Sequence, residues 1–304
     1  MTDSIHTKAD RRHEFVLLFD VADGNPNGDP DAGNLPRVDP ETMQGLVTDV
    51  CIKRKVRNWI DAHHGDSERM KIYVQENEAL NTLHQRAYTA LKIKTTGSKQ
   101  KREEVTKVRA WMCENFFDIR TFGAVMTTHV NCGQVRGPVQ ITFARSIDPV
   151  TPLDLSITRI AITRPEDMEV VEVEGGETEG KGKRTEMGRK AIVPYGLYRA
   201  YGFFSPAFAA DTVMSDADLA LFWDALLNMW DLDHSSSRGM MACRGLYVFS
   251  HENKHGNAPA HALFPLVDAK LGDGIETPRS FSDYEVTVDE AELPKGVSLT
   301  RLAG

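Results

Sequence analysis

The chain has 304 residues, of which 41% are hydrophobic and 26% charged, an ordinary globular composition. A formal net charge of −8 argues against a protein that binds nucleic acid over its whole surface, but it does not exclude a local basic groove. The four cysteines form no C-x-x-C pair or zinc spacing, and no stretch has the length and apolarity of a membrane span. We therefore expect a cytoplasmic protein that needs no disulfide, metal or cofactor.

The first predicted element is a buried central strand. Residues 14–22 contain the run FVLLF between charged residues, and a short run of aromatic and branched residues is typical of such a strand. The stretch DGNPNGDPDAGNLPRVDP follows, and it consists almost wholly of turn-forming residues. We expect a shaped loop there, and loops of this length are often functional.

A helix is predicted next, from Asp39 to about His63. Asp39 is a suitable cap, Pro40 suits the first turn, and Glu41 lies near the positive end of the helix dipole. The pattern closes before a glycine, which is a common stop signal.

Two cations interrupt the predicted apolar face of this helix. At 100° per residue one stripe contains Leu46, Val50, Lys53 and Arg57. Because a helix does not usually bury unpaired cations, we expect either internal carboxylates or an external polyanion such as phosphate to meet them. Lys55 points elsewhere and is expected to be solvated.

The middle of the chain alternates strands with two inserted segments. Residues 71–75 predict a short strand, and 78–117 predict helices separated by the basic loop TTGSKQKREE. After a loop that includes DIRTFG, further strands are predicted near 133–146 and at 156–162. Residues 164–190 are charged, Gly-rich and almost free of large apolar side chains, so they predict a projecting arm.

The last third returns to core elements. Residues 191–204 predict an aromatic strand whose side chains belong to the core, and Ser215 begins an amphipathic helix through Trp230. A strand at 242–250 precedes a loop-rich end with one strand at 284–288. The order approximates β-α-β-β-α-β, the ferredoxin-like unit that RNA-recognition domains also use, and predicts an α+β fold.

The loop after the first strand resembles a metal site without completing one. It matches much of a calcium-binding loop, but Asn34 stands where a bidentate glutamate is needed. Asp29 and Asp31 could begin a two-metal hydrolytic site, yet no general base or second carboxylate cluster accompanies them. Two interpretations stay open: the carboxylates cap the loop's own turns, or the loop presents backbone N–H groups to phosphates.

Four stretches resemble the backbone subunit of type I-C CRISPR Cascade complexes, the Csd-two type of the Cas-seven family. They are FVLLFDVADGNPNGDPDAGNLPR, GLVTDVCIKRKVR, DIRTFG and HVNCGQVRGPVQITFARSIDP. The resemblance covers roughly residues 14–250. It implies a modified RRM-like palm, a helical fingers insertion and a protruding β-hairpin thumb. The implied ranges are 14–77, 119–163 and 191–304 for the palm, 78–118 for the fingers and 164–190 for the thumb.

The resemblance also implies a function in antiviral defence. Several copies would polymerise along one CRISPR RNA, and each thumb would kink the guide and flip out a nucleotide. The exposed segments would pair with target DNA, so that base pairing reads the sequence while phosphate contacts supply the affinity. The implied partners are CRISPR RNA, target DNA, further copies, and Cascade subunits of the Cas-five, Cas-eight and small types. No catalysis is implied. The alternative is a metal-dependent ribonuclease of the same superfamily that uses Asp29 and Asp31.

The residues expected to contact RNA come from the loop, the basic helix and two later turns. They are Asn25, Asn27, Gly28, Asn34, Arg37, Lys53, Arg54, Arg57, Arg136, Ser236 and Arg238. The thumb would contribute five more cations, namely Lys181, Lys183, Arg184, Arg189 and Lys190.

Overall fold

The computed structural model describes residues 4–161 and 186–304. The helices of this part are α1 (Asp49–His64), α2 (Leu80–Ala90), α3 (Arg102–Asn115), α4 (Phe117–Phe122), α5 (Pro206–Thr212), α6 (Asp216–Leu232) and α7 (Ala260–Leu263). Its strands are β1 (His13–Gly24), β2 (Gly28–Asp29), β3 (Leu35–Pro36), β4 (Gln44–Val47), β5 (Gly123–Thr127), β6 (Asn131–Arg136), β7 (Val139–Ile141), β8 (Ala144–Pro149), β9 (Leu153–Arg159), β10 (Glu186–Phe204), β11 (Met240–His251), β12 (Val267–Leu271), β13 (Tyr284–Val288) and β14 (Val297–Ala303).

A large antiparallel sheet forms the centre of the molecule. Its strand order is β14-β11-β1-β10-β8-β4, and β7 and β9 also pair with β10. β1 lies between β10 and β11, and its residues 13–21 are all buried. This confirms the predicted central strand and the expected combination of helices with a large antiparallel sheet.

Both faces of the sheet are covered. Phe15, Leu17 and Phe19 of β1 pack in one core with α1 and α6. The alternate residues Val16 and Leu18 pack in a second core with β12 and β13 from the C-terminal part of the chain. A strand that is covered on both faces is apolar at successive positions, which explains the unbroken FVLLF run.

Helix α1 begins ten residues later than the sequence predicts. Thr48 is its N-cap, and the Thr48 hydroxyl accepts a hydrogen bond from the Cys51 N–H at 3.3 Å. The residues expected to form the first helical turns instead form β4, which pairs with β8 at the edge of the sheet. Pairing with a strand about one hundred residues away therefore outweighs the cap signal at Asp39. The predicted end near His63 is confirmed.

The predicted strand at 71–75 is wrong. Only Lys71 forms a bridge there, to Phe116. The N–H groups of Tyr73 and Val74 donate instead to the buried carboxylate of Asp118, at 2.8 and 3.1 Å. The backbone is thus satisfied by a side chain rather than by a strand partner.

The predicted helices in 78–117 are confirmed as α2 and α3, which share a separate apolar core with the β5–β6 hairpin. The stretch DIRTFG is not a loop, because its first five residues belong to helix α4 and Gly123 begins β5. The single strand expected at 133–146 is divided into β6, β7 and β8. Gly137 lies between β6 and β7. Only glycine fits at this position, because a Cβ would collide with the backbone of Phe122 and Gly123.

The remaining elements largely follow the prediction. β9 covers most of the strand expected at 156–162, and α6 begins with a capping box between Ser215 and Asp218. β11 and β13 are confirmed, whereas β12 and β14 were not predicted. Of the predicted arm, residues 186–190 are the start of β10, and 164–185 lie outside the described residues. None of the helices in the two described ranges has the length and apolarity needed to cross a bilayer.

Candidate nucleic-acid interface

The loop that follows β1 is held by its own amide side chains. Asn27 Oδ1 accepts hydrogen bonds from the N–H and the hydroxyl of Thr48, both at 2.9 Å. Asn25 Nδ2 donates to the Asn34 carbonyl at 2.8 Å, and the Asn34 N–H donates to the Asp29 carbonyl at 2.7 Å. These contacts connect the loop to itself and to the cap of α1. Asn25, Asn27 and Asn34 therefore shape the loop, whatever else they bind.

A close approach between backbones places the turn after α6 against this loop. Arg238 Nη1 donates to the Asn25 carbonyl at 3.0 Å, and the Asn25 N–H donates to the Ser237 carbonyl at 2.7 Å. A Cβ on Gly24 would collide with the Arg238 carbonyl, and a Cβ on Gly28 with the Asn34 side chain. Glycine is required at position 24 because a Cβ would collide with backbone, whereas a side chain at position 28 would displace the Asn34 side chain from its place in the loop.

The two loop carboxylates have local partners. Asp29 Oδ1 accepts a hydrogen bond from the Asp31 N–H at 3.2 Å and lies 3.5 Å from Arg37 Nη1. Within 4–161 and 186–304, no three His, Cys, Asp or Glu side chains come together as a possible metal site. The geometry favours the interpretation in which Asp29 caps the loop's own turn.

The predicted stripe on the basic helix is wrong. Val50 is 61% exposed, and Leu46 belongs to β4. The buried apolar face of α1 consists of Ile52, Val56 and Ile60, with Trp59 beside them. The later start of α1 explains the error, because it removes Leu46 from the helix and leaves Val50 in the solvated first turn.

Lys53 and Arg57 meet carboxylates inside the fold. Lys53 Nζ lies 2.8 Å from Asp49 Oδ2, one turn earlier in the helix. Arg57 Nε donates to the buried Asp118 carboxylate at 2.7 Å. Both cations also lie over the Phe122 ring. Of the two partners that the sequence left open, internal carboxylates are present, and phosphate contacts by Lys53 and Arg57 stay a prediction.

Lys55 is buried, so the expectation that it is solvated is wrong. Its ammonium contacts the Asp233 carboxylate, and Arg238 Nε lies 3.4 Å from the same carboxylate. Burial lowers the pKa of Lys55 to about 8, and the positive charge of Arg238 contributes to the decrease. Asp233 thus receives two cations and ties α1 to the turn after α6.

Two of the expected arginines have no carboxylate partner in the described part of the chain. Arg54 is half-buried and lines a groove of about 420 Å³ whose other charged residues are Arg57, Asp61, Glu76 and Glu78. Arg136 is exposed, and its guanidinium lies 4.5 Å from the centre of the Phe208 ring. An arginine stacked on an aromatic ring keeps its N–H edge available for a phosphate or a base.

A cleft of about 250 Å³ joins the loop, the start of β10 and the turn after α6. Among its lining residues are Asn25, Asn34, Arg189, Lys190 and Ser237. Arg189 Nη1 lies 3.4 Å from the carboxylate of Asp154, another lining residue, whereas Lys190 forms no ion pair with any described residue. The exposed Ser236 is next to this cleft in sequence.

The structure therefore brings together only part of the predicted set. Lys53, Arg54 and Arg57 are not in the lining of this cleft. Lys181, Lys183 and Arg184 lie outside the described residues.

A basic surface on α2, α3 and the segment between them was not among the predicted sites. Residues 80–110 contain eight Lys or Arg and two Glu, in a chain whose net charge is −8. Seven of the eight are exposed and form no ion pair within the described ranges, namely Lys92, Lys94, Lys99, Lys101, Arg102, Lys107 and Arg109. A count of local charge along the sequence would have found this surface.

Comparison with known proteins identifies the family. Residues 11–289 match the family model described as CRISPR-associated protein Cas7. A CRISPR-associated protein Cas7 from Haloferax volcanii is 26% identical over 310 aligned positions, which cover 92% of this chain and 81% of that protein.

Three solved structures show weaker similarity. A chain of a CRISPR RNA-guided surveillance complex in a pre-nicking state is 11% identical, with a TM-score of 0.48 over 78% of each chain. A chain of a second CRISPR RNA-guided surveillance complex is 13% identical, with a TM-score of 0.42 over 78% of this chain and 68% of the other. A chain of a type III-B Cmr-beta complex bound to cognate target RNA is 12% identical, with a TM-score of 0.39 over 78% of this chain and 61% of the other. TM-scores below 0.5 add nothing to the family match, which spans most of the sequence. The chain belongs to the CRISPR-associated protein Cas7 family.

Proposed function

We propose that this chain is a non-enzymatic, RNA-binding backbone subunit of a type I-C CRISPR Cascade complex, and that several copies line up along one guide RNA. Family membership supports the CRISPR role. The four motif stretches support the type I-C assignment. The observation that carries the RNA contact is the cleft between the loop, the start of β10 and the turn after α6.

This cleft suits an RNA backbone. Lys190 has no ion pair in the described part, and Arg189 is paired only at 3.4 Å with its side chain largely in water. Cations on a surface lose little solvation when they bind phosphate, and such contacts carry no sequence information. Because the chain as a whole is acidic, nucleic acid would be attracted to its local basic surfaces, which include this cleft and the segment 80–110, and repelled from the acidic remainder.

Among the cations of α1, Arg54 is the strongest phosphate ligand in this proposal. It needs no carboxylate to be displaced, whereas Lys53 and Arg57 would have to leave Asp49 and Asp118. Arg136 on Phe208 could hold a phosphate or stack under a base. Asn27, Gly28, Arg37 and Arg238 would act by holding the loop in position.

The sheet with α1 and α6 would be the RRM-like palm, 78–118 the fingers and 164–190 the thumb that kinks the guide. RNA-recognition domains stack bases on the sheet face that lies opposite the helices. Here the second core covers that face, because Tyr195 and Tyr247 are buried under the C-terminal strands. We therefore place the guide at the loop end of the sheet rather than on its face.

The partners in this proposal are CRISPR RNA, target DNA, further copies of the chain, and Cascade subunits of the Cas-five, Cas-eight and small types. Sequence recognition is assigned to guide–target base pairing, as in other RNA-guided systems. The subunit would hold the guide and perform no chemistry on it.

Binding to single-stranded RNAs of unrelated sequence, measured over a range of salt concentrations, tests the proposal. The double variant R189A/K190A should bind every sequence more weakly by a similar factor, and its slope of log K against log salt should fall by about 0.7 per lost phosphate contact. Arg301→Ala is the matched control, because Arg301 is an exposed arginine of β14 that pairs with Glu290 at 2.6 Å. Unchanged binding by the double variant, or a loss confined to one sequence, would contradict the proposal.

A further inference from the structure

One carboxylate connects three separate parts of the chain beside the cleft. Asp233 directly follows α6, and its Oδ2 atom contacts the buried ammonium of Lys55 in α1. The same atom lies 3.4 Å from Nε of Arg238 in the turn after α6. A carboxylate at the C-terminal end of a helix is unfavourable for the helix dipole, so the two cations compensate for its position. Asp233 is not among the residues that line the cleft, and any effect it has there must pass through another residue.

Arg238 uses a second nitrogen of its guanidinium to hold the loop after β1. Its Nη1 atom donates to the carbonyl oxygens of Asn25 and Pro26, at 3.0 and 3.3 Å. Because Nε faces Asp233 while Nη1 faces the loop, one rigid planar group joins the carboxylate to the loop backbone. Arg238 is not among the lining residues of the cleft either. Its guanidinium is therefore engaged in holding the loop.

The loop and the turn after α6 form two walls of the cleft at the place that Arg238 connects. Asn25 belongs to the lining on one side and Ser237 on the other, and the Asn25 N–H donates to the Ser237 carbonyl at 2.7 Å. No residue of 23–34 or 233–239 belongs to the apolar cores of the described part. Polar contacts therefore hold the two walls together, and the width of the cleft depends on them.

We propose that Asp233 is a positioning residue for RNA binding. It fixes the guanidinium of Arg238, and Arg238 in turn keeps the loop against the turn after α6, so that the cleft is already shaped before an RNA backbone enters. Asp233 itself contacts no RNA. A carboxylate beside a site for a polyanion would repel it, and the two cations on Asp233 offset this repulsion. The inference rests on the proposed function, because it assigns a task within the cleft that would hold the guide.

The test compares two variants that differ only in this connection. Lys55→Met removes one cation from Asp233 and leaves the contact between Asp233 and Arg238. Lys55→Met/Asp233→Asn also removes that contact, and it leaves no buried ammonium without a partner. The net charge of the double variant equals that of the parent, whereas Lys55→Met is one unit more negative. From net charge alone, the double variant would bind RNA at least as tightly as Lys55→Met.

A positioning role reverses this order of affinities. Lys55→Met should bind single-stranded RNA within about twofold of the parent, because one distant charge is largely screened. The double variant should bind about tenfold more weakly, which is the equivalent of one charged hydrogen bond. The slope of log K against log salt should be the same for all three proteins, since no phosphate contact is lost. Equal or tighter binding by the double variant, or a smaller slope, would overturn the proposal.

Removing Arg238 shows whether Asp233 acts through it. Lys55→Met/Arg238→Gln should bind RNA as weakly as Lys55→Met/Asp233→Asn, and the triple variant should bind no more weakly than either. A further loss in the triple variant would mean that Asp233 acts by another route, and the proposal would be wrong. Should urea denaturation show that the double variant has lost its fold, Arg238→Lys in the parent chain breaks the same connection, because one ammonium cannot span the carboxylate and both carbonyls. It should give the same loss of affinity at an unchanged slope.

Hydrogen exchange without RNA separates this inference from the proposed function. The Asn25 N–H should exchange about tenfold faster in the double variant than in Lys55→Met, because the loop opens more easily. The amides of residues 15–19, in the centre of β1, should exchange equally in both. If the parent fails to bind RNA, the proposed function is wrong. If the Asn25 amide exchanges equally in both variants, or if all these amides accelerate together, Asp233 does not position the loop.

Discussion

Helix α1 carries two kinds of cation within one turn and a half. Lys55 and Arg57 are buried and contact the carboxylates of Asp233 and Asp118. Arg54 directly precedes Lys55 in sequence, is only half-buried and has no carboxylate partner in the described part. The run IKRKVR therefore does not form a single binding surface. The direction in which the helix points each side chain decides whether that side chain is buried against a carboxylate or left without a partner.

The two kinds of cation differ in how much folding free energy is lost when the cation or its partner is removed. A buried charge has lost its water and is tolerated only because a partner compensates for it, so removing the partner leaves a large penalty. An exposed cation keeps its solvation and is worth little to stability, but it remains available to a ligand. Buried pairs in α1 should therefore control folding, and the half-buried, unpaired Arg54 should control binding.

Asp118→Ala should show the largest effect on stability. It removes the partner of Arg57 and the acceptor for two backbone N–H groups, so the free energy of unfolding should fall by about 3–5 kcal/mol. Urea denaturation measures this loss. Asp61→Ala is the control on the same end of the fold, since the exposed Asp61 only accepts a hydrogen bond from Gln75, and it should cost less than about 1 kcal/mol. If the two variants lose equal stability, the buried pair between Arg57 and Asp118 does not stabilise the fold more than an exposed hydrogen bond does.

Lys55 should make stability depend on alkaline pH. Its pKa is about 8 in the folded protein against 10.5 as the ordinary value, so between these pH values the unfolded chain binds more protons. The free energy of unfolding of the parent should therefore rise relative to that of Lys55→Met, by up to about 1.4 kcal/mol per pH unit. Denaturation of both proteins at intervals from pH 7.5 to about 10.5 measures the difference. A difference that stays constant over this range would contradict a buried, destabilised ammonium.

Arg54→Ala should separate binding from stability. Its free energy of unfolding should stay within about 0.5 kcal/mol of the parent, while RNA affinity falls for every sequence and the salt slope decreases by about 0.7. Lys53→Ala is the matched comparison, because Lys53 is engaged by Asp49 one turn away. If Lys53→Ala weakens RNA binding more than Arg54→Ala does, the ion pair opens for RNA and the division between the two kinds of cation fails.

Asp29→Ala should have only a small effect on stability. It removes one hydrogen bond to the Asp31 N–H and a weak pair with Arg37, so we expect a loss of about 0.5–1 kcal/mol. The same variant examines the ribonuclease alternative. Complementary RNA incubated with the guide-bound protein and magnesium should stay intact with the parent and with the variant. Cleavage by the parent that Asp29→Ala abolishes would show that the subunit is an enzyme.

Some of the candidate site could be found from the sequence. The turn-forming composition after β1 singled out Asn25, Asn27, Gly28 and Asn34, and the structure places Asn25 and Asn34 in the cleft. Their meeting with Lys190 could not be inferred from spacing, because that residue lies more than 150 positions away and arrives through the pairing of β10 with β1. The basic surface on α2, α3 and the segment between them is visible in the sequence as local charge, but it was not predicted as a site because charge was not counted along the chain.

The sequence by itself determined the elements whose signal is local. FVLLF indicates a strand buried on both faces, and the Ser215 capping box with its apolar period indicates α6, because each of these signals lies within a single segment of the sequence. The tertiary structure alone decided where α1 begins, since β4 forms only when β8 is beside it. It also decided which cations are free, because Asp118 and Asp233 reach Arg57 and Lys55 from distant parts of the chain. Long-range pairing and burial set these outcomes, and neither is encoded in the spacing of a single segment.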